Sequence, residues 1–218
     1  KDVKIYEEPS HQYNQIPFIS HENIILKGYF QSHKYINRSK ILNQFSIDIG
    51  THDFIKNKYP QILIKEFTSI HVRRGDYLKM LYKHPFSGLE YYKKAIKLIG
   101  EEKNFIFVSD DIVWCKRNFK LKNVIFVENT SPIIDLYIQS YCKNNIISNS
   151  SFSWWGAYLN NHKNKNVIAP SMWFGFKFKV NTKDLLPNSY IIINNNHNLF
   201  FRIKSWYQLI RNKIKNAY

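Results

Sequence analysis

Cysteine is nearly missing from this chain: there are two in 218 residues, Cys115 and Cys142. Each sits in an apolar helical pattern, where a packed, reduced thiol is expected rather than a disulfide. No Cys/His spacing of the zinc-binding type occurs. Long apolar runs are lacking too, none approaching the roughly 18 residues that would cross a bilayer as a helix. The opening KDVKIYEEPS has no charged-then-apolar layout of a signal peptide. The expectation is a cytoplasmic chain, soluble or peripheral to a membrane. Acids are scarce, 16 against 32 Lys and Arg, for a formal net charge of +16. That sign suits phosphates, anionic headgroups or nucleic acid. The lysines, however, are interleaved with Asn, Ile and Tyr throughout, a compositional bias that needs no binding partner to explain it. A nucleic-acid binder would concentrate its cations on one face, so that alternative is kept but no nucleic-acid partner is expected. Triplets of the N-x-S/T type at Asn37, Asn129 and Asn149 are what chance supplies in an Asn-rich chain.

What is present, from residue 62 onward, is an alternation of short β-branched runs with helix-period segments, the pattern of an α/β domain with a parallel sheet. Strands are expected at 68–72, 105–108, 124–127, 145–148 and 166–169. Helices are expected from Leu89 to a terminating Gly100, from the Ser131-Pro132 start, and from Ser150-Ser151 to Leu159. Residues 1–61 are less regular, with one helix expected over 41–55. The tail 200–218 reads as a basic amphipathic helix with Phe200, Ile203, Trp206 or Tyr207, Ile210 and Ile214 on one stripe. That stripe is expected to dock on the domain, the alternative being adsorption to an anionic membrane surface or a partner protein.

Three segments carry chemistry. In Ser69-Ile-His-Val-Arg-Arg-Gly-Asp-Tyr77 an apolar strand ends in two arginines, at the end of a parallel sheet where ligands bind. Arg73 or Arg74 can hold a phosphate bidentately while the other braces it or pairs with Asp76, and Gly75 lets the backbone turn close. The plain alternative is a surface ion pair. In Phe105-Ile-Phe-Val-Ser-Asp-Asp111 a second strand delivers Asp110 and Asp111 to the same edge, as acceptors for purine or ribose, as a helix cap, or as metal ligands. Ile146-Ile-Ser-Asn-Ser-Ser-Phe-Ser-Trp-Trp-Gly-Ala157 runs into a hydroxyl-rich turn, and its helix N-terminus can receive a phosphate or sugar. At least one of Trp154 and Trp155 reads as core.

HVRRGDY at 71–77, GLEYYKKAI at 88–96, FVSDDIVWCK at 107–116 and DLYIQSYCKNNIISNSSFSWWGAYLN at 135–160 resemble successive motifs of the α-1,2-fucosyltransferase family. VIAPSMWF at 167–174, DLLP at 184–187 and GYFQSHKYI at 28–36 extend the likeness over about residues 20–190. The resemblance implies a Rossmann-like domain of a two-lobed, GT-B-like glycosyltransferase. It implies an inverting transfer of L-fucose from GDP-β-L-fucose to a galactose-containing glycan, with no metal or other cofactor. By motif, Arg74 and Arg73 hold the GDP phosphates, and His71 and Asp110, with Asp111 beside them, lie near the guanine. Ser150 and Ser151 lie by the phosphates and Phe152 shapes the pocket. Arg73, Arg74 and Asp76 are the catalytic candidates, Asp76 as base or as orienter of an arginine. The family's opening Gly-Gly-Leu-Gly-Asn-Gln segment has no counterpart. The expected layout is therefore a partial acceptor-side lobe at 1–61, a GDP-fucose-binding domain at 62–196, the helix at 197–218 and an incomplete N-terminal lobe. A non-catalytic GDP-sugar-binding or lectin-like remnant stays open as an alternative, and peripheral membrane contact through 200–218 is allowed.

Overall fold

The computed structural model describes residues 3–17, 23–178, 180–195 and 199–215. By their internal contacts these divide into a small unit, 1–44 with 179–189, and a large one, 45–178 with 190–218.

In the small unit, β1 (Val3–Glu7) and β2 (Asn23–Lys27) pair in parallel, Val3 opposite Asn23. The Glu8 carboxylate accepts from the Tyr29 and Phe30 backbone N–H groups. Asp184 ties the returning segment back, pairing with Lys34 and accepting from the Tyr13 N–H, while its carbonyl accepts from Ser32. The helix α1 (Arg38–Gln44) closes the unit. The single helix expected over 41–55 is in fact two, because the Asp48 side chain accepts from Thr51 N at 2.9 Å and starts a new one, α2 (Ile49–Lys58). A cap of this kind competes with continued helix.

The large unit continues with α3 (Gln61–Ile64), β3 (Phe67–Val72), α4 (Leu89–Ile99), β4 (Asn104–Ser109), α5 (Ile112–Asn118), β5 (Val124–Phe126), α6 (Pro132–Tyr141), β6 (Asn144–Ile146), α7 (Ser151–Leu159), β7 (Val167–Pro170), β8 (Ile191–Ile193) and α8 (Leu199–Lys215). All six strands are parallel, in the order β5-β4-β3-β6-β7-β8. Counted from β3, this is the 3-2-1-4-5-6 order of a doubly wound Rossmann-type sheet. The five expected strands and three expected helices of this unit are present within a residue or two. The sixth strand, three isoleucines at the sheet edge, is too short to stand out in the sequence.

Alternation on β4 shows why the sheet is covered on both faces. Phe105 and Phe107 join Ile70, Val72, Tyr91, Tyr92, Ile96 and Cys115 in one core. Ile106 and Val108 join Ile55, Ile62, Phe67, Ile138 and Cys142 in the other. A strand buried on both faces reads as a continuous apolar run, as these do. Both cysteines are free and buried, and burial pushes the Cys115 thiol up to about 11.

The tail helix does dock, but by the opposite stripe from the one expected. Gln208 receives the Leu81 N–H at 3.0 Å and donates to the Leu78 carbonyl at 2.7 Å, Asn212 donates to Tyr82 Oη at 2.9 Å, Ser205 is buried and Phe201 joins the core. Trp206 and Ile210 are 55% and 53% exposed, and Ile203, Tyr207 and Ile214 are exposed with them. Two backbone groups left open by the loop at 78–82 take a glutamine in preference to an isoleucine, because an unpaired buried amide costs more than an exposed side chain. The side chain of Phe200 and residues 216–218 lie outside the described residues.

Candidate functional site

In a sheet of this order the connections diverge between β3 and β6, and the strands' carboxyl ends there form the usual ligand edge. Every candidate residue named from the sequence falls on that edge or in the first turn beyond it.

Arg73 and Arg74 follow β3 directly. Arg73 reaches Asp76 at 2.7 Å through Nη2 and Asp110 at 3.2 Å through Nη1, and its guanidinium lies 5.4 Å from the Tyr77 ring centroid. Arg74 is the more enclosed of the two, 16% against 36% exposed. Its Nε donates to Asp111 at 3.0 Å and its guanidinium stacks 4.3 Å over Trp114 and 5.0 Å over Phe86. Its backbone N–H donates to Asp110 at 2.9 Å. Among the described residues its two terminal Nη groups take no hydrogen bond. The guanidinium is therefore fixed in plane and position with a bidentate donor edge still open.

The two aspartates divide their work. Asp111 caps α5, accepting from Trp114 N at 3.1 Å, and gives its other oxygen to Arg74. Asp110 spans Arg73 and the Arg74 backbone. The space beside Gly75 is filled by this carboxylate, since a Cβ there would stand 2.6 Å from Asp110 Oδ2. Close approach of that aspartate accounts for the glycine, and in this structure both carboxylates are engaged by arginine. Among the described residues no group of three or more His, Cys, Asp or Glu is placed to hold a metal ion.

Across the switch point, β6 leads through Ile147, Ser148 and Asn149 to Ser150, the N-cap of α7, whose side chain makes no capping bond. Ser151 is exposed in the first turn, and the opening N–H groups of that turn have no intrahelical acceptor. His71 shares a 2.8 Å hydrogen bond with Ser148 Oγ through Nδ1 and packs on Phe152, centroids 5.4 Å apart. Burial, aided by the Arg73 charge, lowers its pKa to about 3, so the imidazole is neutral at physiological pH.

Tyr77 joins the two halves. Its hydroxyl donates to the Asn149 carbonyl at 3.0 Å, its ring lies under Arg73, and burial pushes its pKa up. Asn149 is a buried clamp, donating to the carbonyls of Pro85 and Trp173 at 2.9 Å each and accepting from Ser87. Tyr77, Trp114, Ser148 and Asn149 thus build the site without having been singled out from the sequence. All four lie inside the quoted motifs, and motif membership was the only signal available for them.

Fold and site together define a Rossmann-type α/β domain whose switch-point edge carries an arginine pair opposite a helix N-terminus. The chain belongs to glycosyl transferase family 11, whose family profile matches residues 3–192. It is 36% identical over 165 residues to the Escherichia coli O-antigen biosynthesis glycosyltransferase WbnK, covering 68% of this chain and 55% of the relative. To an alpha-1,2-colitosyltransferase of Escherichia coli it is 33% identical over 181 residues, 76% of this chain and 61% of the relative. A galactoside 2-alpha-L-fucosyltransferase SEC1 of Bos taurus is 26% identical over 166 residues, 68% and 44% of the two chains. The chain thus spans about half of the length of these relatives. Among the described residues no helix is long and apolar enough to cross a membrane.

Proposed function

We propose that this chain carries the nucleotide-sugar half of an inverting glycosyltransferase that moves L-fucose from GDP-β-L-fucose to a galactose hydroxyl, forming an α-1,2 linkage. The observation that carries the reading is the pairing, at one switch point, of a braced arginine with an open Nη edge and a helix N-terminus bearing two serines. A diphosphate leaving group carries charge that grows as its bond to fucose C1 breaks. Arg74, pre-oriented by Asp111 and Trp114, neutralises that charge without reorganising. Arg73 contributes a second cation, and the N–H groups of Ser151 and its neighbours complete the cradle. The acceptor oxygen attacks C1 from the opposite face, forming the new C–O bond as the bond to GDP breaks, and its proton passes to a base.

Asp76 has two candidate roles in this scheme. Its ion pair with Arg73 supports the orienting one, while its carboxylate, 48% exposed, is open to an acceptor hydroxyl and so to the role of base. Neutral His71 suits a hydrogen bond to the base or ribose better than a contact to phosphate. The absence of a cationic charge there keeps the phosphate's partners to the arginines. The name of the alpha-1,2-colitosyltransferase relative supports widening the donor panel to a nucleotide-activated colitose. The deciding experiment incubates the protein with each donor and a panel of galactose-terminated oligosaccharides and reads product linkage and anomeric configuration by NMR. Fucose on galactose O2 in the α configuration is expected. Donor hydrolysis or GDP binding with no transfer to any acceptor would favour a GDP-sugar-binding module.

A further inference from the structure

The helix α8 docks on the large unit through Phe201, Ser205, Gln208 and Asn212. At about 100° per residue, those positions centre on the side of the helix opposite Leu199, Ile203, Trp206, Ile210 and Ile214. All five of these are exposed. The cations divide between the two flanks: Arg202 and Lys213 border the apolar stripe on one side, Lys204 and Arg211 on the other, and the helix has no acidic residue. Phe176 stacks on Trp206, centroids 4.9 Å apart, and is itself 40% exposed, so the apolar strip extends off the helix onto the loop that follows β7.

A solvent-facing helix would be polar on this side, and a helix meeting a protein groove has no need of cations along both borders. Apolar and aromatic side chains in the middle, with long cationic side chains on both edges, match the cross-section of a helix lying in a bilayer interface. There the stripe enters the acyl boundary and the Lys and Arg stems reach up to the headgroups. The charge pattern further selects the lipid, because cations near an anionic leaflet are attracted within a Debye length. We propose that α8 is a pre-folded membrane-surface element, through which the protein binds reversibly to an anionic bilayer surface without spanning it. The domain holds the helix in shape by its polar face, so the entropy of helix formation is already spent before it meets the membrane. The residues that hold it, Leu78 and Leu81, follow the Arg73-Arg74 turn by only a few positions. Surface binding therefore couples to the segment that leads out of the candidate site.

The test is co-sedimentation of the full chain with vesicles of phosphatidylcholine alone or with about 30% phosphatidylserine, which gives the surface a negative potential. The comparison is with Ile203→Gln/Ile210→Gln, which removes apolar contact at constant charge, and Arg202→Gln/Lys213→Gln. The wild-type protein is expected to partition to the anionic vesicles at least about ten-fold better than to phosphatidylcholine, and to release at high salt. Each double variant is expected to lose about ten-fold or more, with melting temperature and circular dichroism unchanged because the docked face is intact. Three outcomes overturn the proposal. Undiminished binding of the isoleucine variant means that the general +16 charge does the binding. Absence of vesicle binding, with a concentration-dependent dimer that the isoleucine variant abolishes, assigns the stripe to a second copy. A large fall in melting temperature on the isoleucine substitutions assigns it to folding.

Discussion

Arg74 shows how much of this site is settled by single side chains. Its aliphatic and planar parts are held by Trp114 and Phe86 and its Nε by Asp111. A lysine has neither the plane to stack nor the separate Nε. Arg74→Ala is expected to weaken GDP binding by about 2 to 4 kcal/mol, as for a partly enclosed charge-assisted contact to phosphate. Arg74→Lys is expected to recover little of it. Isothermal calorimetry measures both: wild-type affinity in Arg74→Ala would move the phosphate site away from β3, and wild-type affinity in Arg74→Lys would show that charge alone, without the stacked plane, is enough. His71 makes a prediction about pH. Folding lowers its pKa from 6.5 to about 3, so below pH 6.5 the unfolded chain takes a proton that the native one refuses. The stabilisation is whole above pH 6.5 and is lost progressively as pH falls toward 3, by about 2 kcal/mol at pH 5. In urea titrations at pH 7.5 and 5, His71→Gln is expected to lose stability less steeply with acid than the wild type, and equal slopes would exclude His71 as the group responsible. Its hydrogen-bond partner, Ser148, lies 77 positions away. The sequence motif shows both residues and no local spacing connects them, which is why the histidine was legible and its hydrogen bond was not.

At the level of elements, strands with apolar residues on both faces and helices with clear caps were readable from pattern alone, since β3 to β7 and α4, α6 and α7 are each specified locally. What escaped was decided by tertiary partners. The edge strand β8 is three residues long and gains its hydrogen bonds from β7. The tail was readable as a helix and its stripe as apolar, yet the docking face was chosen by the open Leu78 carbonyl and Leu81 N–H, which no helical periodicity reports. Gln208→Ala is therefore expected to cost about 1 to 3 kcal/mol, since it orphans a buried N–H. Ile210→Ala, on the exposed stripe, is expected to stay within about 0.5 kcal/mol. Chemical denaturation separates the two, and the reverse ranking would mean that the apolar stripe does the docking. A second contact between elements, α6 against α7, rests on Gly156, where an added Cβ would stand 2.8 Å from Gln139 Cβ. Alanine there gains about 1 kcal/mol in helix propensity but overpacks two buried helices, commonly worth about 1 to 3 kcal/mol. Gly156→Ala is expected to be net destabilising by chemical denaturation, and a stabilised variant would show that the helices part without cost.

For the whole molecule, under the proposed function, the main question is where the positive charge to balance a departing diphosphate would come from, a divalent cation or fixed cationic side chains. The formal charge of +16 says only that cations are plentiful. The arrangement at the switch point is more specific: Asp76, Asp110 and Asp111, the carboxylates of the candidate site, each already hold an arginine. A metal drawn to these carboxylates would compete with the arginines they hold, and at Asp111 it would take the partner that fixes Arg74's Nε. Arginine supplies the same electrostatic stabilisation with no ion to recruit. GDP affinity is therefore expected to be equal, within about two-fold, in EDTA and in millimolar Mg²⁺ or Mn²⁺, whereas a site in which the cation bridges the phosphates would lose most of its affinity on chelation. Calorimetry with GDP reads this directly from the chain in hand, and transfer from GDP-fucose, where an acceptor is found, is expected to persist under the same chelation. Loss of GDP affinity in EDTA, restored by Mg²⁺ and absent from an Asp110→Asn variant, would make Asp110 a metal ligand and reduce Arg73 to its counter-ion.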